Sequence, residues 1–400
     1  LEKAKLKSGD QTIKVSDLHQ DEDVLDTWFS SWIWPISVFD GIRNPNNKEI
    51  NYYYPTSDLV TGPDILFFWV ARMVMAGFSF KNKFPFKNVY FTGIVRDKKR
   101  RKMSKSLGNS PDALGLIDKY GADGVRSGML FSSNAGNDLL FDEVLCEQGR
   151  NFSNKIWNAF RLVDSWTVSE ESDSKINRYA IDWFENKLLY ELSLVNKSFD
   201  NFRISEALMK IYKLIWDDFC SSYLEIIKPS NKVIDAFTKK KTIYFFEKLM
   251  VCLHPFMPFI SEQIWQDLKV RSNSDTIIFE TWPKALDFDE TILMDFDYLF
   301  QLITAIRKVR KEQSVSMQKK LDLYTKYKLT ISQKMILKNL CSLNSISSIE
   351  KSLDGMFPFL VKTEKYFLNI DFDSKEEINK INKEILRYKN FLNNIEKKLN

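Results

Sequence analysis

The chain has 400 residues, of which 44% are hydrophobic and 28% charged. These values are ordinary for a globular protein, but the length is too great for one core, so roughly two to four domains are expected. A net charge of +5 permits a nucleic-acid partner without requiring one. Cys146, Cys220, Cys252 and Cys341 form no C-x-x-C pair and have only His19 and His254 to join them, which argues against a disulfide framework and a structural zinc. Reduced, buried thiols in the cytoplasm are expected instead. No apolar run is expected to approach the length of a membrane span, and no signal peptide is recognised. The first residue is Leu1, not Met, so a piece of a longer protein is expected.

Residues 1–20 are polar and rich in lysine. After them come Asp26-Thr27-Trp28-Phe29-Ser30-Ser31, and then Tyr54-Pro55-Thr56-Ser57-Asp58-Leu59-Val60-Thr61-Gly62-Pro63-Asp64. A short strand through Leu59 and Val60 meets a tight glycine, and Pro63 opens a helix. In an open parallel sheet, ligands bind at such a strand-to-helix edge. Asp64 then either complements the helix dipole or accepts hydrogen bonds from ribose hydroxyls. Trp28 and Trp69 are large apolar plates that suit a core as well as a ligand wall.

Val89–Val95 reads as a buried strand. A basic loop follows, Arg96-Asp97-Lys98-Lys99-Arg100-Arg101, and then Lys102-Met103-Ser104-Lys105-Ser106-Leu107-Gly108-Asn109. Ser110 is the expected N-cap of the next helix, with Pro111 at its first position. Two lysines and two hydroxyls on a loop beside a helix N-terminus suit the phosphates of a bound ligand. Lysine ammonium groups that close on phosphates in a transition state stabilise the charge that builds there. A solvated basic turn would show the same composition.

The second half reads as helical. Phe152, Ile156, Phe160 and Val163 define a stripe over Asn151–Trp166, and a longer one runs from Ile181 to Phe202. A third spans Leu208 to Ile226 and stops before Pro229; a fourth covers about 235–253 and breaks at His254-Pro255. These stripes predict a helical bundle. Arg150, Lys155, Arg161 and Arg203 are its candidate phosphate contacts, or equally a solvated face. Over 290–370 a basic helix, Ala305–Gln313, precedes short alternating runs at Leu321–Tyr324 and Lys365–Ile370, which suggests a small α+β unit. Ile378, Ile381, Ile385, Tyr388, Leu392, Ile395 and Leu399 alternate by three and four, as in a coiled-coil seam.

Several runs together resemble the valyl-tRNA synthetase family of class I aminoacyl-tRNA synthetases. They are DVLDTWFSS at 23–31, the stretch 53–75 through FFWVARMVM, RKMSKSLGN at 101–109, DKYGADGVR at 118–126 and GRNFSNKIWNAFR at 149–161. FRISEALMKIYKLIWDDFCSSYLE at 202–225, LHPFMPFISEQIW at 253–265 and AIRKVRKEQSVSMQKKLDLY at 305–324 carry the resemblance across nearly the whole chain. The isoleucyl and leucyl families share KMSKS but fit less well at DTWFSS and FFWVARM.

The resemblance implies a multidomain chain. It would comprise the second half of a class I Rossmann-like α/β catalytic core, an all-α anticodon-binding bundle, a small α+β unit and the start of a coiled coil. The implied boundaries are 1–20 for the return from an editing insertion, 21–148 for the catalytic part, 149–289 for the bundle, 290–370 for the α+β unit and 371–400 for the first helix of the arm. The HIGH signature and the editing domain are expected outside this sequence. The implied activity is ATP-dependent formation of valyl-adenylate and transfer to tRNA(Val), with Mg2+ accompanying ATP. The implied catalytic residues are Lys102 and Lys105. Gly62, Asp64, Met103, Ser104 and Ser106 complete the ATP site, and Trp28 and Trp69 are the walls of the amino-acid pocket. The family often has His after the glycine, where this chain has Pro63, which removes a side-chain role there. The expected partners are tRNA(Val), valine and ATP, with no membrane and a monomeric state. An isolated chain of this kind is expected to be inactive but to contact tRNA. The alternatives are an RNA-binding module without chemistry, or an isoleucyl or leucyl relative.

Overall fold

The computed structural model describes residues 1–133, 137–169, 174–272, 274–350, 355–370, 378, 381–383, 385–390 and 392; of Lys105 it describes the backbone alone. The chain divides into two compact units, one of residues 1–110 and 132–141, the other of 111–131 and 142–400. Residues 111–131 and 142–148 therefore belong with the helical unit rather than with the first segment. The attachment is specific. The Asp123 carboxylate accepts from the amides of Phe259 and Ile260 at the start of the Pro258–Asp267 helix. Arg126 donates to the carbonyls of Pro255 and Phe256.

The first unit is built on a βαβ crossover. Strands β1 (Thr56–Thr61) and β2 (Phe86–Phe91) pair in parallel, with Thr56 opposite Phe86 and Thr61 opposite Phe91. Between them the chain winds through a 3₁₀ turn at Pro63–Ile65, a π-helical stretch at Leu66–Val70 and an α-helix at Ala71–Lys81. Pro63 fixes the first helical φ, and Asn82, left-handed at φ 53, ends the helix by donating to Phe78 O. The strand expected over Val89–Val95 is broken. β2 ends at Phe91, and Val95–Arg96 is a separate strand, β3, paired in parallel with β4 (Leu139–Leu140). Gly93 makes the break possible, because a Cβ there would collide with the backbone of Asn137.

Against the expectation that no apolar run approaches the length of a membrane span, Pro63–Lys81 is long and apolar enough to cross one by length and composition; in this fold it forms the crossover between β1 and β2. Phe67, Phe68, Met75, Phe78 and Phe80 on it are exposed. Among the described residues, the unit's own buried cluster is Ile36, Ile50 and Tyr54, with Phe39 against it. Residues 1–20 contain a short helix, Glu2–Ser8, and no buried side chain.

The second unit is helical, with α-helices at Glu143–Asp164, Lys175–Asp200, Ile204–Lys213, Ala236–Leu253 and Glu290–Glu312. Their starts follow capping chemistry. Asp142, Ser174, Asp235 and Asp289 each accept a backbone N–H of the first turn. Thr330 and Gln333 form a reciprocal capping box at the Ile331–Cys341 helix. Ile204–Lys213 runs on through a π-helical stretch, Leu214–Tyr223, to Leu224–Ile227, ending before Pro229 as the pattern predicts. Short strands β5 (Thr167–Ser169) and β6 (Val233–Asp235) pair in parallel between helices.

Phe184 sits at the bundle centre against the rings of Phe219, Tyr223 and Phe245. The core does not stop at residue 289. Trp183 stacks on Phe296 at 4.8 Å, and Tyr298 Oη and Tyr366 Oη are 2.7 Å apart. One buried cluster thus runs from Phe152 to Ile370. The expected α+β unit shares its core with the bundle. Its sheet has the order β8-β7-β10-β9 (Leu343–Ser348, Leu321–Thr325, Glu364–Leu368, Phe357–Val361). β7 and β8 are parallel across the 331–341 helix, and β9 and β10 form a hairpin. All four cysteines are buried thiols, and burial pushes those of Cys220, Cys252 and Cys341 up to about 12. Of the heptad, Ile378, Ile381, Ile385, Tyr388 and Leu392 are helical and exposed, whereas Ile395 and Leu399 lie outside the described residues.

Candidate active site

The site grows from the C-terminal end of β1. Gly62 is extended there, and a Cβ on it would lie 2.7 Å from Asp64 Oδ1, so the glycine leaves room for that carboxylate. Lys102 Nζ lies 3.9 Å from Asp64 Oδ2, with both side chains open to solvent. Two candidate site residues 38 positions apart are thus neighbours. An exposed pair at this distance is weak in itself, and a phosphate could readily compete for the ammonium.

The basic loop is a hairpin. Arg96 bridges Lys102, Met103 donates to Val95 O, and Arg100 N donates to Asp97 O. Arg100 takes a left-handed φ of 63, the bulge position that glycine usually fills in a three-residue hairpin loop. Arg96 is paired with Asp138, whose carboxylate also accepts from Ile94 N; the guanidinium and this amide hold the Asp138 carboxyl below the usual range.

The 102–109 run is pinned by Asn109, which the sequence reading left without a role. Its Oδ1 accepts from Ser104 N at 3.0 Å, and its Nδ2 donates to Asp97 Oδ2 at 3.0 Å and to Lys102 O at 3.3 Å. Asp97 also accepts from the amides of Lys99 and Arg101 and from Arg101 Nε. These donors, Asn109 foremost, hold the Asp97 carboxyl far below the ordinary carboxylate range. The Ser104 and Ser106 hydroxyls are 3.2 Å apart, and Ser104 Oγ accepts from Leu107 N. Met103 is half-buried. The next helix, Ala113–Tyr120, is capped not by Ser110 but by Asp112, which accepts from Leu114 N and Gly115 N. The spacing explains the difference: Pro111 lies outside the helix, so Asp112 is the first residue able to reach its free amides.

Beside β1 lies a cavity of about 310 Å³ lined by Ser31, Leu59, Thr61, Ile65, Trp69, Val70 and Met73. Trp28 does not line it directly. It packs on Trp69, with ring centroids 5.2 Å apart, and carries the Arg72 guanidinium on its face at 3.9 Å. Among the described residues, no group of three His, Cys, Asp or Glu side chains is placed to hold a metal.

On the helical unit the four basic candidates differ. Arg150 pairs with Glu147 at 3.2 Å and Arg203 with Glu206 at 2.9 Å, while Lys155 lies over the Trp216 ring at 5.4 Å. Arg161 is exposed and has no ion-pair partner among the described residues.

Residues 2–142 match the family model of class I tRNA synthetases (I, L, M and V), and residues 182–325 that of the anticodon-binding domain of tRNA ligase. The chain belongs to the class I tRNA synthetases. Within that class it is similar to valine–tRNA ligases. It is 50% identical to that of Phocaeicola vulgatus and 49% to that of Parabacteroides distasonis, in each case over 100% of this chain and 46% of the relative. It is 42% identical to that of Fusobacterium nucleatum over 75% of this chain and 35% of the relative. The chain therefore spans about half the length of the curated relatives it matches. Among solved structures, the ternary complex of Agrobacterium radiobacter K84 agnB2 LeuRS with tRNA and LeuAMS matches 68% of this chain and 34% of its own. Its TM-score is 0.50 at 20% identity, a likeness of fold.

Proposed function

We propose that this chain is the KMSKS-bearing and anticodon-binding part of a valine–tRNA ligase. The observation that carries the proposal is identity near 50% to valine–tRNA ligases along the whole chain. The approach of Lys102 to Asp64, next to a cavity walled by Trp69, agrees with it. In this reading the carboxylate of valine attacks the α-phosphorus of ATP, the bond to the bridging oxygen breaks, and pyrophosphate leaves. A ribose hydroxyl of tRNA(Val) then attacks the carbonyl of the adenylate and releases AMP.

The residues divide the work. Gly62 opens the edge of β1 and Asp64 holds the ribose hydroxyls. Lys102 and Lys105 neutralise charge growing on the β- and γ-phosphates, where fixed cations lower the barrier most. Met103, Ser104 and Ser106 shape the loop that carries them. Trp69, backed by Trp28, presents an apolar wall to the valine methyls. Arg161, with Lys155, Arg150 and Arg203, faces tRNA phosphates. Mg2+ would arrive with the triphosphate and neutralise part of its charge. We place the protein in the cytoplasm as a monomer.

The exposed apolar side chains of the 63–81 helix and the two-stranded β1–β2 sheet favour a second statement. By itself the chain binds RNA without activating valine, and the remaining length found in the relatives covers that face.

Valine-dependent pyrophosphate exchange by the full-length protein tests the proposal. Exchange with valine, and far less with isoleucine, is expected, and Trp69→Ala should narrow that ratio, since one methylene in such a pocket is worth roughly 1–3 kcal/mol. Absence of valine-dependent exchange would overturn the function. An unchanged ratio in the variant would make Trp69 a core residue.

A further inference from the structure

Among the described residues, Arg72 is a cation without a counter-ion, yet its side chain is half-buried. Its partners are rings: the guanidinium carbon lies 3.9 Å from the centroid of Trp28 and 5.1 Å from that of Trp32. Both tryptophans stand on the short helix Thr27–Trp32, four residues apart and hence on one face. Trp28 in turn meets Trp69, the cavity wall, at 5.2 Å and 39°. Trp69 and Arg72 sit three residues apart, where the π-helical stretch passes into the α-helix.

The 27–32 helix has no buried residue and only six residues, too few to be stable alone. Asp26 caps it by accepting from Phe29 N. The Trp32 indole N–H is buried with no acceptor among the described residues, so no hydrogen bond fixes that ring. Phe68 stands edge-on to Trp28 at 6.0 Å and Phe29 lies 6.0 Å from Trp32, but the group that reaches both indoles is the guanidinium, whose flat face matches an indole and whose charge is attracted by the ring's electron-rich face.

We infer that Arg72 is a positioning residue for amino-acid selection. Stacked on Trp28 and reaching Trp32, it holds Trp28 against the back of Trp69 and so fixes the size of the cavity offered to a branched aliphatic side chain. This rests on the proposed valine–tRNA ligase reading and deepens it. The charge is required as well as the length, because an apolar side chain of similar reach has no electrostatic attraction to the ring face.

The test uses the full-length protein in pyrophosphate exchange, with wild type, Arg72→Met and Arg72→Lys. Wild type comes first: without valine-dependent exchange the ligase reading itself fails, whatever the variants do. Given that activity, Arg72→Met should raise the KM for valine about tenfold. It should also narrow the valine-to-isoleucine ratio of kcat/KM about fivefold, within the range one loosened pocket wall allows. The KM for ATP should stay within about twofold, because the phosphate-binding lysines are untouched. Arg72→Lys, which keeps a cation over the ring, should recover most of the selectivity. Should Arg72→Met not fold, Arg72→Gln and the valine-induced change in tryptophan fluorescence provide the same comparison. The inference is overturned if a folded Arg72→Met or Arg72→Gln enzyme keeps the wild-type selectivity. It is also overturned if Arg72→Lys is as defective as Arg72→Met with ATP binding lost in parallel, which marks general structural support.

Discussion

The side-chain amide of Asn109 donates to the carboxylate of Asp97 at 3.0 Å, tying the end of the KMSKS run to the hairpin before it. The same side chain accepts from Ser104 N, so its two ends hold both edges of the loop. A residue that looks like the tail of a motif is therefore its anchor.

Asn109→Ala in the full-length protein should lower kcat for pyrophosphate exchange by about 10- to 100-fold and leave the KM for valine nearly unchanged. The reason is that displacing a reacting group by about 1 Å costs on the order of a hundredfold, while the amino-acid pocket lies elsewhere in the unit. Asn109→Asp should be at least as damaging, because its charge would face Asp97. Steady-state exchange kinetics decide the matter, and a pure KM effect on valine would count against the anchoring role.

The helical bundle should lose stability as pH rises between about 4 and 8. Lys187 Nζ is 2.8 Å from Glu191 and 3.7 Å from Asp218, so two carboxylates share one ammonium. Burial pushes the Asp218 carboxyl up to about 7; Lys187 opposes this, while Glu191 and Asp217 add to it. Burial alone would lower Lys187, but Asp218 and Glu191 outweigh that and leave it raised. We take Asp218 as the group that takes up the proton. An unfolded Asp titrates near about 3.9, so between that pH and about 7 the folded state binds the extra proton. A raised pKa gives stability that is complete below the unfolded value and lost as pH climbs through the folded one. The raised Lys187 adds no slope below about pH 10. Denaturant midpoints of wild type and Asp218→Asn from pH 5 to 8 should diverge, with the variant flatter, and parallel profiles would refute the assignment.

Gly149→Ala should destabilise the helical unit by about 1–3 kcal/mol, the usual cost of overpacking. Glu143–Asp164 crosses Ala122–Phe131 at Gly149, where an added Cβ would collide with the Gly124 carbonyl and the Ser127 hydroxyl and lie 3.0 Å from Gly124 Cα. Backbone atoms cannot step aside as a flexible side chain would. From the other helix, Gly128 has the same constraint against Cys146. Urea unfolding followed by circular dichroism measures the loss, and a midpoint equal to wild type would mean that the crossing can open freely.

Local chemistry was legible in the sequence. The 3.6-residue stripe beginning at Ile181 became the Lys175–Asp200 helix, which stops short of Phe202, left-handed at φ 56, and the break at His254-Pro255 ended Ala236–Leu253 where expected. KMSKS, the glycine before Pro63 and the order of the synthetase-like runs identified the class, because motif and periodicity depend on neighbours in sequence. The basic helix read as Ala305–Gln313 is the end of Glu290–Glu312, whose first turns carry Phe296, Leu299, Leu302 and Ile303 at readable spacings. Other features depended on contacts between distant segments. Asp64 meets Lys102, Arg72 meets Trp28, and Tyr298 meets Tyr366 across 38, 44 and 68 positions. The grouping of 111–131 with the bundle rests on Asp123 capping a helix that begins at Pro258. Periodicity tells each segment which face to bury. It does not say against what, because that choice is made by shape and charge matching only after the chain has folded back on itself.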